Sequence, residues 1–169
     1  MESFMEALLS EKSDKIPEEY DWFAPLIGDW DLDYHDGYDT GSERTVKGEW
    51  LFRRVLNGAG IEDLFICPSR DTMYSNPQPD GEYGMAVRMF NHAKKCYDMV
   101  YACEKYMCNL CFVREDKKLI GTVLDNPSQK WIFSDIKEDS FHWQNVTILE
   151  NGEWKVNSNI YAKRKSVLF

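Results

Sequence analysis

Apolar and polar residues alternate along most of the chain, and the alternation is clearest over residues 28–36. Trp30, Leu32 and Tyr34 alternate there with four residues that are acidic or histidine. A period of two is typical of a half-buried β-strand, because successive side chains point to opposite faces of a sheet. This stretch therefore predicts a first strand with one apolar and one acidic face.

Turn-forming pairs interrupt the alternation at short intervals. Asn57-Gly58 and Asn151-Gly152 are two of them, since Asn and Gly readily adopt the left-handed backbone of tight hairpin turns. The segments between turns predict about ten strands, at 28–36, 43–55, 60–67, 83–91, 95–103, 107–115, 118–124, 129–137, 140–149 and 154–164. No crossover helix separates them, so they form an antiparallel meander, and a sheet this long removes its edges by closing. We predict an all-β, up-and-down antiparallel barrel.

The residues before the first strand have a different pattern. Apolar residues share one side of a helix over 2–11, and Pro17 suits the first turn of a second short helix. We expect an N-terminal helical segment, residues 1–26, to close one end of the barrel. Residues 27–165 form the β-barrel itself, and the whole chain is one domain.

The last hairpin distinguishes the interior of the barrel from its exterior. A two-residue turn at Asn151-Gly152 fixes which residues oppose each other, and opposed residues share a face. The resulting pairs are Leu149 with Trp154, Thr147 with Val156, Asn145 with Ser158, Trp143 with Ile160, and Phe141 with Ala162. This face is mostly apolar and is predicted to be the interior, so His142 is predicted to point outward.

Composition and charge narrow the possible partners and the cellular location. The 169-residue chain has a formal net charge of −9, so phosphate backbones and anionic membranes are poor partners. Its N-terminal ten residues carry two glutamates and no basic residue, unlike a signal peptide. The five cysteines are an odd number and indicate free thiols. We predict a cytoplasmic protein with no nucleic-acid or membrane partner, no cofactor and no metal.

Four short patterns follow one another along the chain. They are Gly28-x-Trp30, a strand with Tyr83, Arg88 and Phe90, Phe141-x-Trp143, and the basic Arg164 at the end of the last strand. In this order they resemble the lipocalin-like (calycin) superfamily and, within it, the uncharacterised bacterial family called domain of unknown function 1579. The resemblance implies a calycin-like barrel, similar to lipocalins and fatty-acid-binding proteins, with a cavity for a small, partly apolar molecule. It implies no established activity. It also implies a structural role for Gly28 and Trp30, with a basic residue near the end of the last strand, Lys163 or Arg164, over the Trp30 indole. The register of the last hairpin turns Arg164 inward and therefore favours it for this role.

Eight residues are candidates for binding a ligand in the cavity. They are Trp50, Met85, Arg88, Asp98, Trp143, Asn145, Trp154 and Ser158. Asn145 and Ser158 either orient a ligand or hydrogen bond to each other. Arg88 and Asp98 lie on neighbouring predicted strands, where they either form an ion pair in the barrel wall or point inward.

Three functions fit these candidates. The leading prediction is non-catalytic binding of an apolar or amphipathic metabolite. The first alternative is an enzyme for a small carboxylate-bearing substrate, in which Arg88 anchors the carboxylate and Asp98 transfers protons. The second alternative is a structural or interaction protein with a filled barrel. The sequence identifies no catalytic residue set, so catalysis stays open and is not the favoured interpretation.

The cysteines do not predict a zinc site. Cys108 and Cys111 lie three apart on one predicted strand and therefore on opposite faces, and a zinc ion needs ligands within reach of one point. Buried thiols are the simpler interpretation. A redox pair of Cys103 and Cys108 across the intervening turn remains an alternative.

The length of the turn at Glu138-Asp139 decides which residues of the predicted strand 129–137 face outward. If two residues form it, Asp135 lies beside His142, and Trp131 and Phe133 face outward near Val146 and Ile148. Such an outer apolar patch predicts a homodimer through the barrel wall. If three residues form the turn, the faces are reversed.

Overall fold

The computed structural model describes residues 2–166, which form a closed antiparallel barrel of ten strands. The strands are β1 (Gly28–Asp36), β2 (Arg44–Val55), β3 (Gly60–Cys67), β4 (Glu82–Asn91), β5 (Cys96–Ala102), β6 (Met107–Glu115), β7 (Lys118–Val123), β8 (Gln129–Ser134), β9 (Ser140–Ile148) and β10 (Trp154–Arg164). Each strand pairs with the next one in sequence, and β1 closes the barrel against β10. The predicted all-β, up-and-down architecture is confirmed.

The residues before β1 pack across one end of the barrel. They contain one α-helix, α1 (Glu2–Leu8), and two single-turn 3₁₀ helices (Glu18–Tyr20 and Ala24–Leu26). Phe23 and Leu26 are completely buried, and the edge of the Phe23 ring meets aromatic rings from β5, β6 and β8. Apolar burial of this kind fills the barrel end with side chains.

No helix within residues 2–166 is long and apolar enough to cross a lipid bilayer.

Trp30 and Arg164 join the first and last strands at the filled end. The guanidinium carbon of Arg164 lies 4.2 Å from the centroid of the Trp30 ring, the geometry that the sequence resemblance implied. The Trp30 indole N–H donates to the Leu26 carbonyl oxygen at 2.8 Å. Gly28 has a φ of 132°, and a Cβ atom there would lie 2.3 Å from an Arg164 nitrogen. Glycine is therefore needed at Gly28 both for its backbone angle and for the close approach of Arg164.

The turn between β9 and β10 differs from the predicted two-residue turn. The Gly152 N–H donates to the Leu149 oxygen, and Leu149 pairs with Glu153, so three residues form the loop. This shifts Trp154 opposite Ile148 and turns its side chain outward. A register shift between Val156 and Ser158 then restores the predicted pairing, and Ser158 lies opposite Asn145. The prediction that Trp154 faces the interior is wrong, because the additional turn residue places the Trp154 side chain on the outer face of β10.

The faces of β8 follow the second of the two alternatives, through an extra residue at Asp135 ahead of the Glu138-Asp139 turn, where the Lys137 N–H donates to the Ser140 oxygen. Asp135 adopts a left-handed backbone with a φ of 48°, and Ser134, instead of Asp135, lies opposite His142. The extra residue turns Trp131 and Phe133 inward, and Phe133 is completely buried. The outer apolar patch predicted from these two residues is therefore wrong. The homodimer stays a prediction without that support.

Glu49, on the outer wall of β2, binds side chains from two segments at the periphery of the barrel, the loop after β3 and the residues after β10. Its carboxylate accepts hydrogen bonds from Arg70, which begins the loop after β3, and from Lys165 after β10. The hydrogen bond from Arg70 is the main reason that the pKa of Glu49 falls from 4.5 to about 2, against the opposing effect of burial. Lys165 lowers the pKa further.

We expect Glu49→Gln to remove part of the acid dependence of stability. A carboxyl group with a lowered folded-state pKa stabilises the protein above its unfolded pKa, near 4.5, and this stabilisation disappears as the pH falls towards 2. Because Arg70 is half exposed to solvent, we expect a loss of about 1–2 kcal/mol at pH 7. Urea unfolding of both proteins between pH 7 and 2 measures the difference. Parallel stability curves for the two proteins over this range would contradict the assignment.

Candidate functional site

The barrel interior contains a cavity of about 250 Å³ above the filled end. Its inner wall is largely aromatic, and its rim carries polar and charged residues. The aromatic, polar and charged side chains that line it include Tyr34, Arg44, Trp50, Asp63, Phe65, Asp80, Glu82, Arg88, Tyr101, Lys105, Tyr106, Trp131, Trp143, Asn145 and Ser158. Exposed residues such as Asp80 and Lys105 mark the end where the cavity meets solvent.

A buried ion pair between Arg88 of β4 and Asp63 of β3 forms the floor of the cavity. Both side chains are 1% exposed, and the second Asp63 oxygen accepts a hydrogen bond from the Trp50 indole N–H at 2.7 Å. The guanidinium carbon lies within 4.9–5.8 Å of the ring centroids of four phenylalanines, namely Phe23, Phe52, Phe112 and Phe133. The pair is held in place by charge, hydrogen bonding and cation–π contact together.

Burial and charge act against each other on Asp63. Burial raises the pKa of its carboxyl group, while the Arg88 cation and the hydrogen bonds from Arg88 and Trp50 lower that pKa. A buried carboxylate without its cation partner is strongly disfavoured. The charge of Asp63 therefore depends on Arg88.

Two tyrosines and a glutamate form a hydrogen-bonded cluster in the upper wall. Tyr101 and Tyr106 donate their hydroxyl groups to the two oxygens of Glu82, at 2.7 and 3.1 Å. Burial, and then the nearby Glu82 charge, raise the pKa of both hydroxyl groups well above the usual value. Both tyrosines therefore remain protonated donors, which keeps Glu82 fixed at the cavity wall.

Arg44 crosses the rim of the cavity. It forms ion pairs with Asp36 of β1 and Asp80 of the loop after β3, and it also donates to Gln78 at 3.0 Å. Hydrogen bonding to Arg44 is the main cause of the lowered pKa of Asp80. This loop is further held by Lys105, whose ammonium group donates to the backbone oxygens of two loop residues.

Three buried donors in the cavity wall have no hydrogen-bond partner within residues 2–166. They are the indole N–H groups of Trp131 and Trp143 and the Nε of Arg88. Buried donors are nearly always paired, and an unpaired one costs about 1–3 kcal/mol. Each of these atoms is itself shielded from solvent, so an acceptor in the cavity would reach them only if neighbouring side chains shift.

The structure brings five of the eight predicted ligand-binding residues to the cavity and leaves three outside. Trp50, Arg88, Trp143, Asn145 and Ser158 line the cavity. Met85, Asp98 and Trp154 lie on the outer wall, and all three are exposed. On β4 the even-numbered residues point inward, so Arg88 and Met85 have opposite directions. The paired prediction of Arg88 with Asp98 is corrected, because β5 turns Asp98 outward between two buried neighbours.

Sequence reasoning missed Asp63, Glu82, Tyr101 and Trp131. The alternation Ile61-x-Asp63-x-Phe65 places Asp63 on an apolar face, and a charged residue at such a position indicates a buried ion pair. The face of Trp131 stayed open between two alternatives, because the backbone of Asp135 is not predictable from its residue type alone.

Two solved structures share this fold at very low sequence identity. The crystal structure of Rv2717c from M. tuberculosis is similar with a TM-score of 0.59 and 10% identity, covering 92% of this chain and 100% of that chain. The S-type phycobiliprotein lyase CPES from Guillardia theta is similar with a TM-score of 0.58 and 9% identity, covering 87% of this chain and 92% of that chain. No family model and no curated protein matches the sequence. The comparisons therefore give the chain the fold of calycin-like barrels.

Proposed function

We propose that the barrel binds a small, largely apolar molecule that carries hydrogen-bond acceptors and no net charge. The unpaired N–H groups of Trp131 and Trp143 are the observation that carries this proposal. A carbonyl oxygen or heterocyclic nitrogen of the ligand would accept hydrogen bonds from them once neighbouring side chains shift to uncover them. Asn145 and Ser158 supply further polar contacts on the same interior wall.

The charge of the cavity favours a neutral ligand. Its lining carries three acidic and three basic side chains, namely Asp63, Asp80 and Glu82 against Arg44, Arg88 and Lys105. At the floor of the cavity, the guanidinium of Arg88 already forms an ion pair with Asp63. A ligand carboxylate would have to compete with that buried partner, whereas a neutral acceptor leaves the ion pair intact.

The size and walls of the cavity favour a compact, ring-containing molecule. A volume of about 250 Å³ is slightly below the usual range for ligand cavities, roughly 300–1,000 Å³. Trp50, Phe65, Trp131 and Trp143 present aromatic surface. Flat rings stack on such walls with favourable geometry.

The alternative functions have less support. The proposed carboxylate enzyme loses its proton-transfer group, because Asp98 lies on the outer wall. A filled barrel does not agree with a cavity of this volume. Membership of the domain of unknown function 1579 family and a cytoplasmic location remain predictions from the sequence.

A matched pair of tryptophan variants tests the proposal. We expect Trp143→Phe to weaken binding of prodan, a neutral aromatic ketone, by about 3- to 10-fold, because one neutral hydrogen bond contributes about 0.5–1.5 kcal/mol. The same change should lower the stability of the ligand-free protein, since the smaller ring leaves part of the packing against Trp50 and Trp131 unfilled. Isothermal titration calorimetry and urea unfolding measure the two effects.

Trp154→Phe is the control, because Trp154 is 51% exposed on the outer wall. We expect it to bind prodan like the original protein. Equal affinities of all three proteins, or no binding of prodan to any of them, would contradict the proposed site.

A further inference from the structure

A second cluster of potential ligands lies on the outer wall of the barrel, on the opposite side of the sheet from the cavity. It consists of Cys96 and Asp98 of β5 and Cys111 of β6. One ligand atom of each residue lies within 4.8 Å of the corresponding atoms of the other two. Asp98 pairs directly with Cys111 across the two strands, and Cys96 lies two residues before Asp98 on the same face. All three side chains therefore converge from a rigid part of the sheet.

We infer that Cys96, Cys111 and Asp98 form a binding site for a thiophilic divalent cation such as Zn²⁺. Two thiolates and a carboxylate are a common donor type for zinc, and hard cations such as Mg²⁺ do not favour thiolates. Zinc sites with three protein ligands keep a fourth position for water. The partly exposed Cys111 and the exposed Asp98 leave room for that water on the solvent side.

The distances require only a local adjustment. Zn–S bonds of roughly 2.3 Å and Zn–O bonds of roughly 2.0 Å place tetrahedral ligands roughly 3.5–3.8 Å apart. Ligand atoms within 4.8 Å of one another need to approach by about 1 Å. Rotation of the Asp98 and Cys111 side chains accomplishes this without moving the paired strands. Binding of one cation displaces one proton from each thiol, and the site then has a net charge of −1.

The surroundings of Asp98 orient its carboxylate towards the thiols. The Asn91 side-chain amide donates to one Asp98 oxygen at 2.8 Å. Within residues 2–166, no lysine or arginine forms an ion pair with Asp98. A ligand carboxylate with one oxygen held by a neighbouring amide is the arrangement expected around a metal ion.

This site is independent of the cavity, and it differs from the zinc site that the sequence excludes. Cys108 and Cys111 do lie on opposite faces of β6, so cysteines that are close along the chain do not form a site. The β5–β6 hairpin is what brings Cys96 beside Cys111.

Titration of the freshly reduced full-length protein with Cd²⁺ under anaerobic conditions tests this site. We expect the ultraviolet charge-transfer absorption of a Cd²⁺–thiolate complex to saturate at one equivalent and to decrease only in a large excess of Zn²⁺, because thiolates prefer the softer Cd²⁺. Cys96→Ser and Cys111→Ser should each abolish this saturating absorption, and Asp98→Asn should weaken Cd²⁺ binding by roughly tenfold or more. Cys103→Ser is the control and should keep the absorption, because Cys103 is outside the cluster.

Thermal unfolding with and without Cd²⁺ gives a second measurement. A cation that binds only the folded site raises the melting temperature. We expect this increase in the original protein and in Cys103→Ser, and its absence in the folded Cys96→Ser and Cys111→Ser variants. Absence of a one-equivalent complex in the original protein, or its survival in both Cys96→Ser and Cys111→Ser, would overturn the inference.

Discussion

Replacing Arg88 with methionine should destabilise the protein by about 3–5 kcal/mol, because it leaves the Asp63 carboxylate buried without its cation. The four phenylalanines around the guanidinium also lose their cation–π contacts. Methionine matches the length of the arginine stem, so the loss of charge, more than a loss of volume, causes the effect. Urea unfolding at pH 7 measures the change in the free energy of unfolding.

The double variant Arg88→Met/Asp63→Leu separates the buried charge from other effects. Replacing both members of a buried ion pair by apolar residues is often neutral or stabilising. We expect the double variant to recover most of the stability that Arg88→Met loses. The recovery should be incomplete, since the Trp50 indole N–H loses its acceptor when Asp63 is removed.

Arg114→Met is the control for the arginine substitution itself. Arg114 is exposed near the end of β6, and we expect its replacement to change stability by less than about 0.5 kcal/mol. If the double variant were less stable than Arg88→Met alone, the buried charge of Asp63 would not be the cause of the loss.

Arg164→Ala should lower the free energy of unfolding by about 3 kcal/mol. The guanidinium donates to the backbone oxygens of Pro25, Ile27 and Glu138 at 2.9, 2.8 and 2.6 Å. Hydrogen bonds from a charged donor contribute about 1.5–3 kcal/mol each, although partial exposure reduces their sum here. The cation also covers the Trp30 ring. Its removal frees the segment before β1 from the last strand and exposes the filled end of the barrel.

Lys163→Ala is the matched control for this variant. Lys163 precedes Arg164 on β10, and its exposed side chain points to the other face. We expect the melting temperature of Arg164→Ala to fall by about 5–10 °C and that of Lys163→Ala to remain within about 2 °C of the original. Similar decreases in both variants would assign the effect to general charge instead of the Arg164 contacts.

The sequence predicts the number, order and closure of the strands because these depend on many residues acting together. Alternation and turn-forming residues recur along the whole chain, so an error at one turn does not change the architecture. The face on which a residue lies is harder to predict, because one extra residue in or beside a turn moves every side chain of the following strand segment to the opposite face. The loop ending at Gly152 turns Trp154 outward in this way, and an extra residue at Asp135, ahead of the next turn, decides the face of Trp131.

The polar part of the site was harder to predict for a second reason. Asp63, Glu82 and Asp98 are all acidic residues within strands, yet only Asp63 and Glu82 line the cavity. Their positions depend on partners that are distant in sequence, since Asp63 pairs with Arg88, and Glu82 accepts from Tyr101. The pairing of strands decides these contacts, and residue types alone do not reveal it.

The ion pairs that Arg44 forms with Asp36 and Asp80 across the cavity rim have a consequence for the rate at which the proposed ligand enters and leaves. One end of the barrel is filled by Phe23 and Leu26, so exchange takes place past the rim that Arg44 crosses. Opening these partly buried ion pairs requires far less free energy than unfolding the barrel. Salt screens such pairs. For the proposed ligand we therefore expect the residence time to vary with ionic strength, while the global stability of the barrel stays nearly constant.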